Sequence, residues 1–447
     1  MRMLTSSNIL HSNTVLYRVF VVITNFLQAE DYRLSPRLNQ VLSAWQKASL
    51  LVVFSVLLSA CDQPFKAEDN LQTSNTKQQL ASSSELPERY GRKALFSYPE
   101  FSGPYQVGSQ LLQLTDWSRL DPLDPKNLDY RQLQVRFFYP KQYESLSPVN
   151  HPMLPVIDQA SWNYLIGHQI LAGKKLRYSN YHDARWNIQL DANLHQQNQP
   201  FPVLIFSHGY GYNHNSYSAM LGELASQGYI IVAINHSYGA NPAYLAGGQS
   251  IWAKTLPKDD PGRFISLWSD DQRFVIDQLF SLNQTDRSPF YQKLDLSNLG
   301  LFGHSYGGAA AFYTASQDNR VKAIMNIDGS LLQTSENHLD QPFAYLLSKY
   351  HQPGYQFDPS SSPIFMVRLL KFRHQSFTDH ILWWQWDFDD GSLSYQQLDA
   401  LRAVELTSQL VDDFFAQTLK NQRSRWFKQN ITKNSEMEII QVNHSVR

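Results

Sequence analysis

Residues 299–308 read Leu-Gly-Leu-Phe-Gly-His-Ser-Tyr-Gly-Gly, and the fold predicted for the chain follows from these ten residues. The apolar run that begins at Leu299 predicts a buried strand that stops at Gly303. Residues 309–311 are all alanine and favour a helix directly after the glycines. The stretch therefore predicts a strand, a sharp turn that carries Ser305, and a helix.

Sterics explain why glycine is present on either side of Ser305. A β-carbon at Gly303 or Gly307 would collide with neighbouring backbone where a strand turns sharply into a helix. Such a turn holds the Ser305 hydroxyl clear of the sheet, and the backbone N–H of Tyr306 can face a developing oxyanion. Because Gly-x-Ser-x-Gly alone is a weak signal, the rest of the chain must distinguish a nucleophile from an ordinary turn.

The composition is that of a globular protein with a sizeable core and little net charge. The chain has 447 residues, of which 43% are hydrophobic, and its 38 basic and 39 acidic residues leave a net charge of −1. Such a charge creates no field that would attract nucleic acid or anionic lipid, so no nucleic-acid partner is expected. With Cys61 as its one cysteine, the chain can form no intrachain disulfide and no thiolate metal cluster, and no paired-histidine motif predicts a metal site.

The segment before Cys61 has the order of a secretory signal. Lys47 precedes an apolar run that ends in small residues and is shorter than the roughly 20 residues of a membrane-spanning helix. Leu58-Ser59-Ala60-Cys61 resembles the bacterial lipobox, whose cysteine is lipidated; the alternative is a buried free cysteine after a core helix. The lipobox implies a protein anchored through Cys61 to a membrane of the bacterial cell envelope and facing the periplasm.

The chain is expected to fall into four segments. Residues 1–60 are a leader with a lipoprotein-type signal, 61–92 a polar, flexible tether, 93–420 the folded domain, and 421–447 a polar C-terminal tail expected to be frayed. Because the signal lies unusually far from residue 1, we expect translation to begin near Val41 or Leu42.

Strands and helices alternate along the folded domain. Residues 201–207 predict a strand buried on both faces, residues 217–227 a helix, and residues 229–234 another buried strand. Further predicted elements are strands over 110–114, 133–139 and 323–327, a helix capped by Ser269 or Asp270 and running to Leu282, and a last helix over 401–419. This alternation predicts an α/β fold, with a mostly parallel, doubly wound sheet and helices on both faces.

Two aromatic-rich stretches have more than one interpretation. Residues 141–198 are either an insertion over the site or plain surface loops. Trp383, Trp384 and Trp386 could form a surface that binds an acyl chain or a lipid interface. They could instead belong to the core, which is the more common location of aromatic side chains beside a catalytic loop.

A serine becomes a nucleophile when a histidine accepts its proton and an acid orients that histidine. Asp328 follows the strand 323–327 at the sheet edge where ligands gather, while Asp358 lies nearer the usual position of the acid after a later strand. His374, after a late apolar stretch, is the candidate base. The alternative histidines are His338, His351 and His380.

The turn after an earlier strand should supply the second donor of an oxyanion hole. His208-Gly209-Tyr210-Gly211 follows the strand 201–207, and its glycines allow the close backbone approach that the Tyr210 N–H would need. A generic glycine turn is the alternative. His208, His236 and His304 are expected to be structural rather than metal ligands.

These motifs together resemble the plasma-type platelet-activating factor acetylhydrolase family of α/β-hydrolases. The matching segments lie within residues 100–380 and occur in the family's order: Gly103-Pro104-Tyr105-Gln106-Val107-Gly108, Phe138-Tyr139-Pro140, Phe206-Ser207-His208-Gly209-Tyr210-Gly211, Leu224-Ala225-Ser226-Gln227-Gly228-Tyr229, Gly303-His304-Ser305-Tyr306-Gly307-Gly308, Ile327-Asp328, Gln341-Pro342-Phe343 and His374-Gln375-Ser376-Phe377.

The resemblance implies an α/β-hydrolase fold and a serine esterase that needs no cofactor. The family's triad falls on Ser305, Asp328 and His374, which favours Asp328 over Asp358. Its oxyanion donors fall on the backbone of Tyr210 and Tyr306. Gly329 and Ser330 stand where the family carries bulkier residues, which affects the shape of the acyl pocket.

The substrate implied by the resemblance is an acyl ester, including phospholipids with short or oxidised sn-2 acyl chains. A general carboxylesterase or polyester hydrolase is the alternative within the enzyme class. From another class, the chain could be a catalytically inactive binding protein of the envelope.

Overall fold

A computed structural model of the protein describes residues 100–124, 128–143, 153–155, 160–163, 185–257, 260, 262–331, 339–352, 364–382, 398–426 and 435–443. All of these residues belong to one compact unit, Arg89–Arg447. The leader, the Cys61 segment and the tether lie outside the described residues. So do His338, Asp358 and the tryptophans at 383, 384 and 386.

Within the described residues, an 11-stranded sheet forms the centre of this unit. Its strands are β1 (Val107–Leu120), β2 (Tyr130–Pro140), β3 (Met153–Pro155), β4 (Arg185–Leu190), β5 (Phe201–Ser207), β6 (Ile230–Asn235), β9 (Leu294–His304), β10 (Val321–Ile327), β11 (Phe343–Ser348), β12 (Ile364–Leu369) and β13 (Met437–Asn443). They lie in the order β13-β12-β11-β10-β9-β5-β6-β2-β1-β4-β3. A separate two-stranded hairpin consists of β7 (Ala243–Tyr244) and β8 (Ser250–Ile251).

The middle of the sheet is parallel. Each neighbouring pair from β6 through β5, β9, β10 and β11 to β12 runs in the same direction. The antiparallel pairs are β2 with β6, β1 with β2, β3 with β4, and β12 with β13. The predicted mostly parallel α/β sheet is therefore confirmed.

Helices cover both faces of the sheet. The helices α1 (Ser218–Ser226) and α4 (Ala400–Leu419) share a core cluster with Leu204 and Phe206 of β5. The helices α2 (Ile265–Gln284) and α3 (Tyr306–Ala315) share a second cluster with Val203 and Ile205 of the same strand. Successive residues of a strand point to opposite faces, so the two clusters lie on opposite sides of a doubly wound sheet. None of the helices within the described ranges is both long and apolar enough to span a membrane.

The start of α2 differs from its prediction. The helix begins at Ile265 with Phe264 at the N-cap, and no side chain caps it. Ser269, one of the two predicted caps, lies inside the helix and is fully buried. Trp268 and Ile265 are buried in the core, so tertiary packing rather than a capping side chain fixes where this helix begins.

The C-terminal tail is not frayed along its whole length. Met437–Asn443 forms the edge strand β13, which pairs with β12, so the prediction is wrong for these residues. The Arg402 side chain on α4 donates to both carboxylate oxygens of Glu436, at 2.9 and 2.8 Å, directly before that strand. The tail as a whole is polar, but four of the seven residues of this strand are apolar (Met437, Ile439, Ile440 and Val442), a local signal that the prediction overlooked.

The described part of residues 141–198 adds strands to the sheet. Arg185–Leu190 pairs in parallel with β1, and Met153–Pro155 pairs with Arg185–Leu190 in turn. Residues 160–163 approach the predicted oxyanion turn, since the Asn213 side chain donates to Ser161 Oγ at 3.1 Å. The segment is therefore partly an extension of the sheet, which neither interpretation of its sequence included.

Candidate active site

Ser305 lies on a strained turn between β9 and α3. Its backbone has φ +54° and ψ −121°, a conformation that costs a residue with a β-carbon on the order of 1–3 kcal/mol. The Ser305 N–H donates to the carbonyl of Ile327 at 2.7 Å, which ties the turn to the end of β10. A β-carbon at Gly303 would lie 2.4 Å from the carbonyl carbon of Gly307, and one at Gly307 would lie 2.2 Å from the carbonyl oxygen of Ser207. The sequence has glycine at both positions because no other residue fits.

Three side chains that are distant in sequence meet at this turn. His374 Nε2 lies 2.9 Å from Ser305 Oγ, and His374 Nδ1 lies 2.7 Å from Asp328 Oδ2. Asp328 follows β10 directly, and His374 begins the 3-10 turn His374–Phe377 after β12. Because the Nδ1–H donates to the carboxylate, the Nε2 lone pair faces the serine hydroxyl. We refer to Ser305, His374 and Asp328 as the open series.

The acid of the open series is buried and ionised. Asp328 is 1% exposed, and its second carboxylate oxygen accepts the Ser348 N–H at 2.6 Å. Burial alone would raise the pKa of Asp328, but the hydrogen bonds from His374 and Ser348 outweigh it and hold the pKa below its usual value. The His374 side chain is 40% exposed and Ser305 is partly exposed, so a substrate can reach both.

Of the alternative histidines, the structure describes His351 and His380, and it places both away from the proton-accepting position that His374 occupies. His351 lies on the other side of the acid, with Nδ1 3.6 Å from Asp328 Oδ1. His380 is fully buried, and burial lowers its pKa to about 3. The presence of glycine at position 329 has a steric explanation. A β-carbon on Gly329 would lie 2.0 Å from the Ser305 carbonyl oxygen.

Tyr210 and Tyr306, the two residues whose backbone N–H groups are predicted oxyanion donors, lie side by side. Their rings meet edge to face with centroids 5.4 Å apart. Tyr306 is the first residue of α3, and the first N–H groups of a helix have no acceptor inside the helix. The turn that carries Tyr210 is fixed by Gly209, whose N–H donates to Tyr217 Oη at 3.0 Å. The donor roles of Tyr210 and Tyr306 stay a prediction.

A second Ser–His–Asp arrangement, which was not predicted from the sequence, lies in the core. His236 Nδ1 lies 2.9 Å from Asp271 Oδ2, and His236 Nε2 lies 2.9 Å from Ser207 Oγ. All three side chains are fully buried. We refer to Ser207, His236 and Asp271 as the enclosed series. Asp271 lies in the middle of α2, and the spacing of residues along that helix does not indicate that Asp271 pairs with His236.

A buried arginine, Arg131, holds the aspartate of the enclosed series. Arg131 of β2 donates to both carboxylate oxygens of Asp271, at 3.0 and 2.6 Å, and to Asp121 at 2.9 Å. Burial would raise the pKa of Asp271, but the Arg131 charge and the bonds from Arg131 and His236 hold that pKa far below its usual value. Within the described residues, no cluster of three or more His, Cys, Asp or Glu side chains could hold a metal ion.

The family model "Platelet-activating factor acetylhydrolase, isoform II" matches residues 90–245. A probable 1-alkyl-2-acetylglycerophosphocholine esterase of Arthroderma benhamiae is 28% identical over 248 residues, which cover 53% of this chain and 59% of that protein. The platelet-activating factor acetylhydrolase of Cavia porcellus is 27% identical over 195 residues, which cover 38% of this chain and 44% of that protein. The resemblance to the platelet-activating factor acetylhydrolase family is confirmed.

The fold has a solved counterpart. The ferulic acid esterase of Streptomyces cinnamoneus is similar with a TM-score of 0.60 and 25% identity, covering 76% of this chain and 98% of that one. This likeness supports the α/β-hydrolase fold. The chain spans 59% and 44% of the two acetylhydrolase-type relatives, and the family match ends at residue 245, before Ser305. The roles of the open series therefore depend on its geometry.

Proposed function

We propose that the protein is a serine esterase that hydrolyses carboxylic acyl esters through an acyl-enzyme. One observation carries this proposal, the hydrogen-bonded series from Ser305 Oγ through His374 to Asp328 on a strained and partly exposed turn. The likeness to esterases in sequence and in fold supports the same chemistry.

In the first half of the reaction, Ser305 Oγ attacks the ester carbonyl carbon while His374 Nε2 takes the serine proton. The backbone N–H groups of Tyr210 and Tyr306 stabilise the oxyanion of the tetrahedral intermediate, where one donor is typically worth about 100- to 1,000-fold in rate. The intermediate collapses when its bond to the alcohol oxygen breaks, and His374 gives its proton to that oxygen. The alcohol leaves, and the acyl group remains on Ser305.

In the second half, a water molecule replaces the alcohol. His374 takes a proton from the water as its oxygen attacks the acyl carbon, and then returns that proton to Ser305 Oγ as the acid leaves. Asp328 keeps the proton of His374 on Nδ1 and stabilises the imidazolium that forms in each half. The ionised state of Asp328 is essential to this role, and its hydrogen bonds maintain it.

The proposed substrates are esters with short acyl chains, including phospholipids with short or oxidised sn-2 chains. The names of the relatives support this class, since those proteins are called acetylhydrolases and an acetylglycerophosphocholine esterase. A groove beside Tyr210 also supports it, because amide side chains (Asn163 and Asn241) and the 40% exposed Trp252 line it together. Such a surface suits an ester with both polar and apolar parts.

A general carboxylesterase is the second candidate, favoured by the likeness to ferulic acid esterase. A panel of esters would distinguish the two, with acyl chains from acetyl to long and alcohols from simple ones to phospholipids. Preference for acetyl phospholipids supports the first candidate, and activity limited to simple esters supports the second.

The control in that panel is Ser305→Ala, which removes only the Oγ that forms the acyl-enzyme. We expect it to fold as the wild type does and to lose about 10⁴- to 10⁶-fold in kcat. Retained turnover of a short-chain nitrophenyl ester by this variant would contradict the proposed mechanism. A folded wild type that hydrolyses none of the esters in the panel would favour the catalytically inactive binding protein.

We also propose that a lipid on Cys61 anchors the protein to a membrane of the bacterial cell envelope, with the folded domain facing the periplasm. The order of charge, apolar run and small residues before Cys61 is the support for this anchor. Mass spectrometry of the protein from membranes should find residue 61 as a lipidated N-terminus, and an unmodified internal Cys61 would contradict it.

A further inference from the structure

A line of buried hydrogen bonds joins the oxyanion turn to the loop of the proposed general base. The Gly209 N–H donates to Tyr217 Oη at 3.0 Å, Tyr217 Oη lies 2.9 Å from His304 Nδ1, and His304 Nε2 lies 3.0 Å from the carbonyl oxygen of His374. The side chains of Tyr217 and His304 are fully buried. The proposed reaction gives neither of them a proton to move.

The partners fix where each proton lies. A carbonyl oxygen can only accept, so the proton of His304 is on Nε2 and is donated to His374. The Nδ1 atom of a neutral ring then accepts, so Tyr217 donates its hydroxyl proton to His304 and uses its oxygen to accept from Gly209. All the groups in the line are satisfied in this one arrangement.

A charged His304 would break the arrangement. Both of its nitrogens would then donate, and the hydroxyl proton of Tyr217 would lose its acceptor. Burial, together with the nearby charge of His374, holds the pKa of His304 well below its ordinary value. The rings of His304 and His374 are 4.6 Å apart, so a neutral His304 also avoids repulsion when His374 becomes an imidazolium during the reaction.

The two ends of the line are next to the predicted oxyanion donor and the general base, and the proposed reaction requires a fixed distance between these two groups. Gly209 directly precedes Tyr210, whose N–H is a predicted oxyanion donor, and the carbonyl of His374 belongs to the residue that carries the base. The contact is tight, since a β-carbon at Gly209 would lie 2.9 Å from His304 Nδ1 and 3.2 Å from Tyr217 Oη. A shift of either side chain would therefore change the distance between donor and base.

We propose that Tyr217 and His304 are positioning residues, which hold the oxyanion turn and the general base at the separation that ester hydrolysis requires. This inference rests on the proposed esterase function. It assigns a role to the histidine directly before the nucleophile, and it makes the hydroxyl of Tyr217 more important to the rate than to substrate binding.

The first test is Tyr217→Phe, which removes the hydroxyl and keeps the ring that packs 4.8 Å from Phe206. Because a misplacement of about 1 Å can cost on the order of 100-fold, we expect kcat to fall about 10- to 100-fold while KM changes less than about twofold. The matched control is Tyr139→Phe on β2, since Tyr139 is also buried and its hydroxyl donates at 2.7 Å to the carbonyl of Ala192, outside the site. It should lower stability and leave kcat unchanged.

The second test uses His304→Gln and His304→Leu. The amide N–H of glutamine can still donate to the His374 carbonyl, so the Gln variant should retain about tenfold more kcat than the Leu variant. This comparison carries the test if Tyr217→Phe fails to fold. Equal kcat values in two folded His304 variants would contradict the proposal, as would an unchanged kcat in folded Tyr217→Phe.

The wild-type enzyme separates this inference from the function on which it rests. A wild type that hydrolyses no ester overturns the proposed function and the positioning role together. An active wild type with an unchanged Tyr217→Phe variant overturns the positioning role alone.

Discussion

The open series and the enclosed series have nearly the same hydrogen-bond geometry and very different surroundings. In the open series the two distances are 2.9 and 2.7 Å, and in the enclosed series both are 2.9 Å. The His374 side chain is 40% exposed, whereas His236 is fully buried. A serine, a histidine and an aspartate at hydrogen-bond distance therefore do not by themselves make a nucleophile.

The backbone makes the first difference. Ser305 lies on a turn with a positive φ, which lifts its hydroxyl away from the strand, while Ser207 ends the regular strand β5 inside the core. A substrate carbonyl can approach Ser305 and has no path to Ser207. In the proposed mechanism the strained turn exposes the Ser305 hydroxyl to the ester, and Ser207 has no such strain.

The neighbours make the second difference. Ser207 Oγ also accepts a hydrogen bond from Gln272 at 2.8 Å, and the ring of Trp268 stacks on His236 with centroids 3.9 Å apart. Burial, outweighing the bond to Asp271, lowers the pKa of His236, so this ring stays neutral. The enclosed series thus fixes the end of β5, directly before the turn that carries Tyr210.

The largest contrast should appear when each aspartate becomes asparagine. Asp328→Asn should lower kcat about 10⁴-fold, because the amide favours the wrong tautomer of the histidine. Asp271→Asn should instead destabilise the fold by about 3–5 kcal/mol, because it removes the carboxylate that compensates the buried Arg131.

Steady-state kinetics and urea unfolding of both variants would check this contrast. Asp328→Asn should unfold at nearly the urea concentration of the wild type. Near-normal kcat in Asp328→Asn, or complete loss of activity in a fully folded Asp271→Asn variant, would mean that the two series have been assigned the wrong roles.

A smaller effect is expected on the stability difference between the wild type and Asp328→Asn when the pH is lowered. The folded-state pKa of Asp328 lies below the value of about 3.9 expected for the unfolded chain, so its ionised form stabilises the fold above that pH. This contribution is lost as the pH falls through the folded-state pKa. The free energy of unfolding of the wild type, measured relative to that of Asp328→Asn, should therefore decrease between about pH 6 and pH 2. A difference that stays constant or grows in acid would contradict this account of Asp328.

Local signals predicted the turn that carries Ser305, whereas the family resemblance selected Asp328 and His374 from the alternatives that the residues left open. The glycines at 303 and 307 follow from the sterics of one turn, and Asp328 is placed by the end of one strand. The enclosed series could not be predicted, since it depends on the register between β2, β5 and β6 and on the side of α2 that faces them. In the sequence, nothing distinguishes Arg131 from an ordinary exposed arginine. Its ion pairs with Asp121 and Asp271 form only in the folded chain.

The same distinction explains the errors in the fold. The strand 201–207 and the end of β10 were predicted from their apolar runs. The start of α2 depends on the burial of Ile265 and Trp268, and β13 depends on backbone pairing with β12. The burial that sets the start of α2 leaves no local pattern, whereas β13 has four apolar residues in seven, which the prediction overlooked in a polar tail.

Ser305, and not Ser207, is the proposed nucleophile. A fluorophosphonate probe forms a covalent bond to the Oγ of an activated serine and releases fluoride. Peptide mapping of the labelled protein should find the adduct on Ser305, no adduct on Ser207, full labelling of Ser207→Ala and none of Ser305→Ala. An adduct on Ser207, or a Ser305→Ala variant that still takes up the probe, would contradict the account.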